Sequence, residues 1–398
     1  MLGSLPPVGR KVAMDVLATE GVAAKSLVDG SPVSPADRVL RDACLYSSGT
    51  MALARAMMIA RDHAYQQRGI RAPEVLLPAY GCPDIVSAAL YARVKPVLVD
   101  LEPDHPWMNL EQVQQRITPN TAAVVAAHLL GLSERLKALQ ALAQSNRILL
   151  IEDSAQLFPT KATDEVWRGD LVVLSFSRGK PVNLLGGGAL LCNTPELQDQ
   201  LDKSRKWRHL ASDWRSLGLF RLKATIYNSM LKPHCYRILQ GIPILNIGQT
   251  VFKPLSTIGD FPPGAVALLP ANLYGYQGCK HAQETWIHKR IAELRKRAAH
   301  PLVDFSGSRT TGVPLLRYPI LVESAIRRDK LLHRLSAAGL GASPMYRTAM
   351  HEISGLAQIL RKQSHFPAAS NFAQRLITLP CHLGVSKFHV EQMTEILQ

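Results

Sequence analysis

The chain has 398 residues, of which 47% are hydrophobic and 19% charged, and its formal net charge is +15. This composition excludes global disorder, and the length allows two domains with a cleft between them. Because no run of about 18 apolar residues occurs, the sequence does not predict a membrane-spanning helix.

The cysteines and the first residues indicate an intracellular protein. The six cysteines are scattered, with neither a C-x-x-C pair nor a cluster with histidine, which argues against a disulfide framework or a zinc site. The amino-terminal stretch lacks the apolar segment of a signal peptide. We therefore expect a cytoplasmic protein that holds no metal.

The positive charge calls for an anionic partner. Phosphorylated substrates, an anionic membrane surface or nucleic acid would each provide one. The sequence has no helix-turn-helix signature, no RNP-like aromatic pattern and no zinc finger, so we do not expect nucleic acid to be the partner.

In chain order, the first strong signal is a helical run rich in Ala, Met and Leu that follows the residues S-S-G-T at positions 47–50. These residues suit an N-cap and a tight turn. Such a helix start is either a plain cap or an anion site, since its free N–H groups point at a ligand.

Short apolar strands then alternate with helical stretches. The pattern predicts helices at residues 83–92 and 136–145, and strands at residues 75–78, 97–100, 122–128, 148–153 and 171–176. Strands of this kind are typical of a buried, largely parallel sheet. In such sheets ligands bind at the carboxyl ends of strands, where this chain places Tyr80, His128, Asp153 and Ser175.

The stretch L-S-F-S-R-G-K-P-V-N-L-L-G-G-G-A-L-L, residues 174–191, places Lys180 in a polar turn between two apolar strands. Lys180 is either a solvated turn residue or a Schiff-base lysine held close to a flat cofactor. Asp153 at a strand end suits a helix cap, a metal ligand or a surface residue. Beside a Schiff-base lysine, it would instead keep a pyridine nitrogen protonated.

Residues 201–240 contain nine Lys or Arg against two Asp, with aromatic and aliphatic residues between them. A basic, aromatic-bearing amphipathic segment is typical of a helix at a membrane surface. The alternative is that these residues line a cleft or a subunit interface.

A second α/β unit follows residue 270. The sequence predicts helices at residues 278–299, 325–338 and 389–397, and a strand at residues 315–322. We therefore expect a large domain at residues 1–270, with an unusual basic and apolar insertion at about 205–260, and a small carboxyl-terminal domain at residues 271–398.

Several motifs in a fixed order resemble the DegT/DnrJ/EryC1/StrS family of pyridoxal-phosphate-dependent aminotransferases. They are P-A-Y-G-C-P-D, H-L-L-G, I-E-D-S-A-Q, S-F-S-R-G-K and the closing F-P-A-A-S-N-F-A-Q-R-L-I-T-L-P. The resemblance covers residues from about 47 to 201 and from about 270 to the end. It implies a fold type I α/β architecture, with a large domain built on a mostly parallel seven-stranded sheet and a smaller α/β domain.

The resemblance also assigns roles. Lys180 matches the lysine that binds the cofactor pyridoxal 5′-phosphate and transfers protons during the reaction, and Asp153 matches the partner of the pyridine nitrogen. Gln156 matches a residue near the phenolic oxygen of the cofactor. The residues that match phosphate ligands are Ser175, Ser48, Gly49 and Thr50. His128 matches a histidine near the cofactor, although a core histidine is an open alternative.

Two features depart from the family. Cys82 stands where an aromatic residue usually stacks on the cofactor ring, so either its sulfur packs there or another aromatic residue such as Tyr80 does. The family's motif that reaches the neighbouring subunit is absent in a clean form, and Asn228 is a candidate remnant of it. The acceptor pocket is therefore expected to differ from that of relatives.

The resemblance implies an aminotransferase that moves an amino group from glutamate or glutamine to a keto-sugar, nucleotide- or lipid-linked, in polysaccharide, glycolipid or secondary-metabolite biosynthesis. A homodimer is implied as well. The alternatives are another carbanion-based reaction, a non-sugar ketone, or a non-catalytic protein recruited to membranes. We further hypothesise that residues 205–260 bring the enzyme to an anionic membrane surface.

Overall fold

Seven strands form the sheet on which the amino-terminal two thirds of the chain is built. The structure is a computed structural model that describes residues 3–17, 33–242, 250–279, 282–296, 302–305, 308, 310–360, 363 and 365–398. The strands are β1 (Cys44–Tyr46), β2 (Glu74–Pro78), β3 (Lys95–Val99), β4 (Thr121–Ala127), β5 (Leu149–Asp153), β6 (Leu171–Ser175) and β7 (Gly188–Cys192).

The order of strands in this sheet is β1-β7-β6-β5-β4-β2-β3. The neighbours from β3 to β6 pair in parallel, and β7 is antiparallel to both β6 and β1. The mostly parallel seven-stranded sheet predicted above is therefore confirmed. Its carboxyl-terminal edge gathers the residues that follow the parallel strands.

Helices cover both faces of the sheet, which explains why its strands read as continuous apolar runs. The helices of this part are α1 (Pro35–Asp42), α2 (Gly49–Arg68), α3 (Asp84–Tyr91), α4 (Leu110–Arg116) and α5 (Leu136–Ser145). All seven residues of β4 are buried. Along β2, Leu76 packs in one buried cluster while Val75 and Leu77 pack in another, as the alternation of side chains along a strand requires.

The helix predicted after the S-S-G-T turn is α2. Ser48 is its N-cap, and the hydroxyl of Ser48 accepts a hydrogen bond from the N–H of Met51 at 3.2 Å. Gly69 ends the helix with a φ of 67°, a left-handed conformation that glycine adopts without steric cost.

The basic segment is largely helical. It contains α6 (Trp214–Met230) and α7 (Pro233–Gln240), followed by α8 (Pro263–Val266) and α9 (Leu269–Gln277). Asp213 caps α6 by accepting hydrogen bonds from the N–H groups of Arg215 and Ser216. The apolar stretch at residues 243–249 lies outside the described residues.

The carboxyl-terminal part has a three-stranded antiparallel sheet in the order β10-β9-β8. Its strands are β8 (Val303–Asp304), β9 (Tyr318–Leu321) and β10 (Leu376–Leu379), and its helices are α10 (Ala282–Arg295), α11 (Ala325–Ala337), α12 (Pro367–Arg375) and α13 (Lys387–Leu397). The predicted domain boundary at residue 270 falls within α9 and stays a prediction.

Residues 3–17, here called the amino-terminal arm, have no regular secondary structure. Three asparagine side chains bind the backbone of the arm. Asn183 donates to the carbonyl of Arg10 at 2.8 Å. Asn228 exchanges two hydrogen bonds of 2.9 Å with the backbone of Val12. Asn272 does the same with Ala13, at 2.8 and 3.1 Å.

Replacing Asn272 by alanine should therefore loosen the arm. Asn272 is buried, so its loss leaves backbone groups of Ala13 without partners, which costs about 1–3 kcal/mol each. We expect the free energy of unfolding to fall by about 2 kcal/mol and proteases to cut the arm more readily.

The measurements are chemical denaturation and limited proteolysis with mass spectrometry of the fragments. Asn146→Ala is the control, because Asn146 is exposed and donates only to nearby groups at the end of α5. An N272A variant as stable and as protease-resistant as the N146A variant would contradict the anchoring role.

Candidate functional site

The polar residues predicted at the strand ends lie along one edge of the sheet. In the strand registers, Ala127 pairs with Asp153, and Asp153 pairs with Val173. Ser175 at the end of β6 pairs with Gly188. The structure thus places Asp153 and Ser175 together with His128, which directly follows β4.

A cradle of closely packed backbone, here called the anion cradle after its predicted ligand, lies where β6 meets the start of α2. A Cβ atom on Gly49 would lie 2.6 Å from the Cβ of Ser175, and one on Gly188 would lie 2.4 Å from the carbonyl oxygen of Ser48. Only glycine permits these contacts. The N–H groups of Gly49 and Thr50 begin the helix and have no intrahelical acceptor. That of Thr50 is available to an anion, whereas that of Gly49 lies at the parallel bridge between Ser48 and Gly187.

The hydroxyl of Thr50 is used within the protein. It donates to the Oδ2 atom of Asp84 at 3.1 Å, which ties the start of α2 to the start of α3. Of the residues predicted to bind phosphate, the structure brings Ser48, Gly49 and Ser175 together with the backbone of Thr50.

The turn that carries Lys180 is fixed by backbone hydrogen bonds. The N–H of Lys180 donates to the carbonyl of Ser177 at 3.2 Å, next to Gly179, whose φ is 75°. Gly187, with a φ of 96°, donates to the carbonyl of Ser47 at 2.8 Å. The turn of the lysine and the start of α2 are therefore held to each other, and Lys180 itself is half-buried.

Asp153 lies within electrostatic range of Lys180. Burial raises the pKa of Asp153, while a hydrogen bond of 3.0 Å from the N–H of Ala155 and the charge of Lys180 act against that rise. The result is a raised pKa for a carboxyl group that faces an amine. A positive charge beside this carboxyl group would favour its ionised form.

His128 forms a buried pair with Glu152 on β5. The N–H of Glu134 donates to Nδ1 of His128 at 3.0 Å, so the proton lies on Nε2, which donates to Glu152 at 2.8 Å. Both ring nitrogens are therefore engaged inside the protein. These contacts agree with the alternative, left open by the sequence, that His128 is a core histidine. Only the face of its ring remains available to a ligand.

Glu152 is fully buried and stays ionised through its hydrogen bonds. It accepts from the N–H groups of Trp167, Arg168 and Gly169 at 2.6, 2.7 and 3.0 Å. Burial alone would raise the pKa of Glu152, but these bonds and the one from His128 outweigh it and hold the pKa below its usual value.

Gln156 contacts a tyrosine that sequence reasoning missed. The Oε1 atom of Gln156 accepts from the N–H of Leu130 at 3.0 Å, and its Nε2 donates to the hydroxyl of Tyr346 at 3.2 Å. The hydroxyl of Tyr80 donates to the carbonyl of Tyr346 at 3.1 Å. Tyr346 follows Met345, whose φ of 57° is rare for a side chain of that type and marks a constrained turn.

Cys82 lies beside the same tyrosine. Burial and the charge of Asp84 raise the pKa of Cys82 to about 11, so its thiol is neutral at pH 7. Burial and the neighbouring thiol also raise the pKa of Tyr346 well above its usual value. Tyr80 makes edge-to-face contacts with Tyr346 and Phe372 at centroid distances of 5.7 and 5.1 Å, so its ring is committed to the core.

A cavity of about 550 Å³ opens on Lys180 between the amino-terminal arm, α9 and loops of the carboxyl-terminal part. Its lining is mostly aliphatic and includes Leu231 and Pro233 from the junction of α6 and α7. The charged residues of the lining are all basic: Arg10, Lys11, Lys180 and Lys232. The cavity therefore suits an anionic ligand with apolar parts.

A remnant of the motif that reaches a neighbouring subunit would extend away from its own chain. The side chain of Asn228 instead contacts its own chain. Both atoms of its amide bind the backbone of Val12. Within the described ranges, no three side chains of His, Cys, Asp or Glu gather in a way that could hold a metal ion.

Comparison with known proteins places the chain in a family. A sequence profile of the DegT/DnrJ/EryC1/StrS aminotransferase family matches residues 40–212 and 281–398. The chain is 29% identical over 168 residues to a dTDP-4-amino-4,6-dideoxy-D-glucose transaminase of Shigella dysenteriae, a match that covers 42% of this chain and 43% of that protein.

A second relative matches over a longer stretch. It is a UDP-N-acetyl-3-dehydro-alpha-D-glucosamine 3-aminotransferase of Acidithiobacillus ferrooxidans, 30% identical over 331 residues, which are 82% of this chain and 77% of that protein. The solved structure of Spr1654 from Streptococcus pneumoniae in its PLP form has the same fold, with a TM-score of 0.64 at 17% identity over 99% of this chain and 96% of that one. The chain therefore belongs to the DegT/DnrJ/EryC1/StrS family of aminotransferases and has the fold type I architecture predicted from its sequence.

Proposed function

We propose that this member of the aminotransferase family binds pyridoxal 5′-phosphate at the strand edge and transfers an amino group from glutamate or glutamine to a keto-sugar. The observation that carries the proposal is the half-buried Lys180, held in a fixed turn within electrostatic range of Asp153 and tied by backbone to the anion cradle. When bound, the cofactor supplies a protonated pyridine ring that stabilises a substrate carbanion.

The residues present fit the two ends of such a cofactor. The cradle of Ser48, Gly49 and Ser175 offers hydroxyls and helix N–H groups, and the two close glycine contacts leave it free of side chains that would fill it. Asp153 would accept a hydrogen bond from the protonated ring nitrogen at the other end. Because burial raises the pKa of Asp153, a positive charge beside this carboxyl group would be favourable.

Lys180 Nζ would hold the cofactor and then take the proton from the α-carbon of the amino donor. Its turn is fixed at the N–H of Lys180 and again at Gly187, so the amine starts from a defined place. The presence of this lysine favours transamination over the other carbanion-based reactions. Release of 2-oxoglutarate from glutamate would distinguish the two.

The cavity beside Lys180 supports an acceptor that carries phosphate. Its four basic side chains, with no carboxylate among the described residues of the lining, favour a nucleotide- or lipid-linked keto-sugar. The aliphatic part of the lining would contact the apolar portion of the acceptor. We propose further that the chain acts as a homodimer, as the resemblance to its family implies, which light scattering coupled to gel filtration tests directly.

A face of α6 supports the membrane hypothesis as a second proposal. Leu219, Leu222 and Ile226 are 62%, 58% and 48% exposed, and their spacing of three and four residues places them on one side of the helix. Residues 201–240 carry an excess of seven positive charges. No helix in the described part of the chain is long and apolar enough to cross a membrane. The proposed contact is with an anionic surface, which the basic charge favours.

Lys180→Ala should abolish covalent binding of the cofactor while leaving the fold intact. Purified protein, reconstituted with pyridoxal phosphate, is expected to absorb visible light and to release 2-oxoglutarate from glutamate, because the lysine amine binds the cofactor covalently. The K180A variant should lose both properties.

Lys203→Ala is the matched control, since Lys203 is exposed and pairs only with Asp199. Circular dichroism establishes that each variant is folded. A wild-type protein that takes up no cofactor on reconstitution would overturn the proposal.

Replacing Leu222 and Ile226 by glutamate should weaken membrane binding. Each apolar side chain that enters the lipid interface contributes about 1.5–3 kcal/mol, so the double variant should bind vesicles containing phosphatidylglycerol about tenfold more weakly or worse. Vesicle flotation measures the bound fraction.

Ile326→Glu is the control for added negative charge, because Ile326 is 85% exposed on α11, in the carboxyl-terminal part of the chain. Equal flotation with phosphatidylcholine and with phosphatidylglycerol vesicles, or flotation unchanged in the double variant, would contradict docking through α6.

A further inference from the structure

One basic side chain of the cavity, that of Arg10, is held at the cavity wall by an aromatic ring. Its guanidinium carbon lies 5.0 Å from the ring centroid of Tyr276, and both residues line the cavity. Arg10 is half-buried, whereas Lys11 and Lys232 of the same lining are exposed, so their ammonium groups remain hydrated. Stacking on the ring therefore gives Arg10 a defined place that the two lysines lack.

The backbone around Arg10 is fixed as well. Asn183 donates to the carbonyl of Arg10 at 2.8 Å, and Asn228 exchanges two hydrogen bonds of 2.9 Å with the backbone of Val12. Asn183 follows Lys180 by three residues in the chain. Arg10 therefore has a fixed position relative to the backbone that carries Lys180.

The guanidinium of Arg10 has no acidic partner in the described part of the chain. Its one hydrogen bond there runs from Nη1 to the Sγ atom of Cys279 at 2.9 Å, and sulfur is a weak acceptor. The Nε and Nη2 atoms of Arg10 make no hydrogen bond to the described residues, and they are not sealed off from solvent. A ligand in the cavity can therefore reach both of these N–H groups.

The cation and its surroundings favour phosphate as the ligand. A guanidinium donates two parallel N–H groups to two oxygens of one phosphate, whereas an ammonium acts as a point charge. Three further cations, Lys11, Lys180 and Lys232, line the same cavity. Together they favour a group that carries more than one negative charge.

We propose that Arg10 binds the phosphate that joins the acceptor sugar to its nucleotide or lipid carrier, and that it thereby selects carrier-linked sugars over free ones. The proposal rests on the transamination proposed above. It makes the amino-terminal arm a part of the acceptor site.

The test measures the binding of carrier compounds to the reconstituted holoenzyme by isothermal titration calorimetry. Uridine diphosphate and guanosine diphosphate represent nucleotide carriers, and farnesyl diphosphate represents a lipid carrier. The wild type should bind at least one of them, and the one that binds most tightly identifies the class of carrier. In Arg10→Met its dissociation constant should rise about 10- to 100-fold, the change expected for charge-assisted hydrogen bonds.

Two further variants and one reaction serve as controls. Lys11→Met removes an exposed cation of the same lining and should change the dissociation constant less than about fivefold, because water screens an exposed charge. R10K keeps the charge without the planar group and should be intermediate. Glutamate should convert the cofactor to its amine form equally well in the wild type and in R10M, since Arg10 is assigned to the acceptor.

The possible failures can be told apart. A wild type whose cofactor does not react with glutamate overturns the proposed transamination, whatever calorimetry shows for Arg10. A wild type that binds none of the three carriers, or binds them as tightly as R10M does, overturns the role of Arg10. Equal weakening in R10M and K11M also overturns it, because the general charge of the lining would then account for binding.

Two outcomes need a separate reading. If R10M needs about tenfold more glutamate for the same conversion while the carriers bind as in the wild type, the guanidinium binds the donor and the assignment to the acceptor is wrong. If circular dichroism shows that R10M is not folded, R10K replaces it, and unchanged dissociation constants in R10K overturn the proposal.

Discussion

The arrangement of the site depends on one close approach between two stretches of backbone. The turn after Lys180 returns past the start of α2, where Gly187 donates to Ser47 at 2.8 Å and a Cβ atom on Gly188 would lie 2.4 Å from the carbonyl of Ser48. No side chain fits between them. The backbone that carries Lys180 and the start of α2 are therefore fixed relative to each other by main-chain contacts, which are less variable than contacts between flexible side chains.

The two acids of β5, Glu152 and Asp153, have different surroundings because successive side chains of a strand point to opposite faces. Glu152 points into the core, where it accepts from His128 and from three N–H groups of the loop at residues 167–169. Asp153 points towards the edge and meets the charge of Lys180. The buried pair of His128 and Glu152 holds the ends of β4 and β5 together. Asp153, the next residue, is the one proposed to contact a ligand.

The sequence predicted the parts of this site that depend on local pattern. The apolar strands β2 to β6 and the Ser-Ser-Gly-Thr start of α2 are recognisable from their own residues. The order of the family motifs additionally indicated Lys180 and Gln156. The sequence did not predict β1 and β10, because strands of three and four residues have too little periodicity to be recognised. Tyr346 was missed for another reason. It reaches the site from the carboxyl-terminal part, and nothing in its local sequence reports which residues lie opposite in space.

Lys180 separates two regions of opposite charge. Asp153 and Asp84 lie on the side of the strand ends, where they act on the same buried thiol of Cys82 as the lysine does. On the cavity side, the charged residues of the described lining are all basic. A ring that carries a positive charge on its nitrogen is favoured towards the acids, whereas carboxylates and phosphates are favoured towards the cavity. The charges on the two sides of Lys180 thus support the proposed placement, in which a cofactor ring would lie beside Asp153 and an anionic substrate in the cavity.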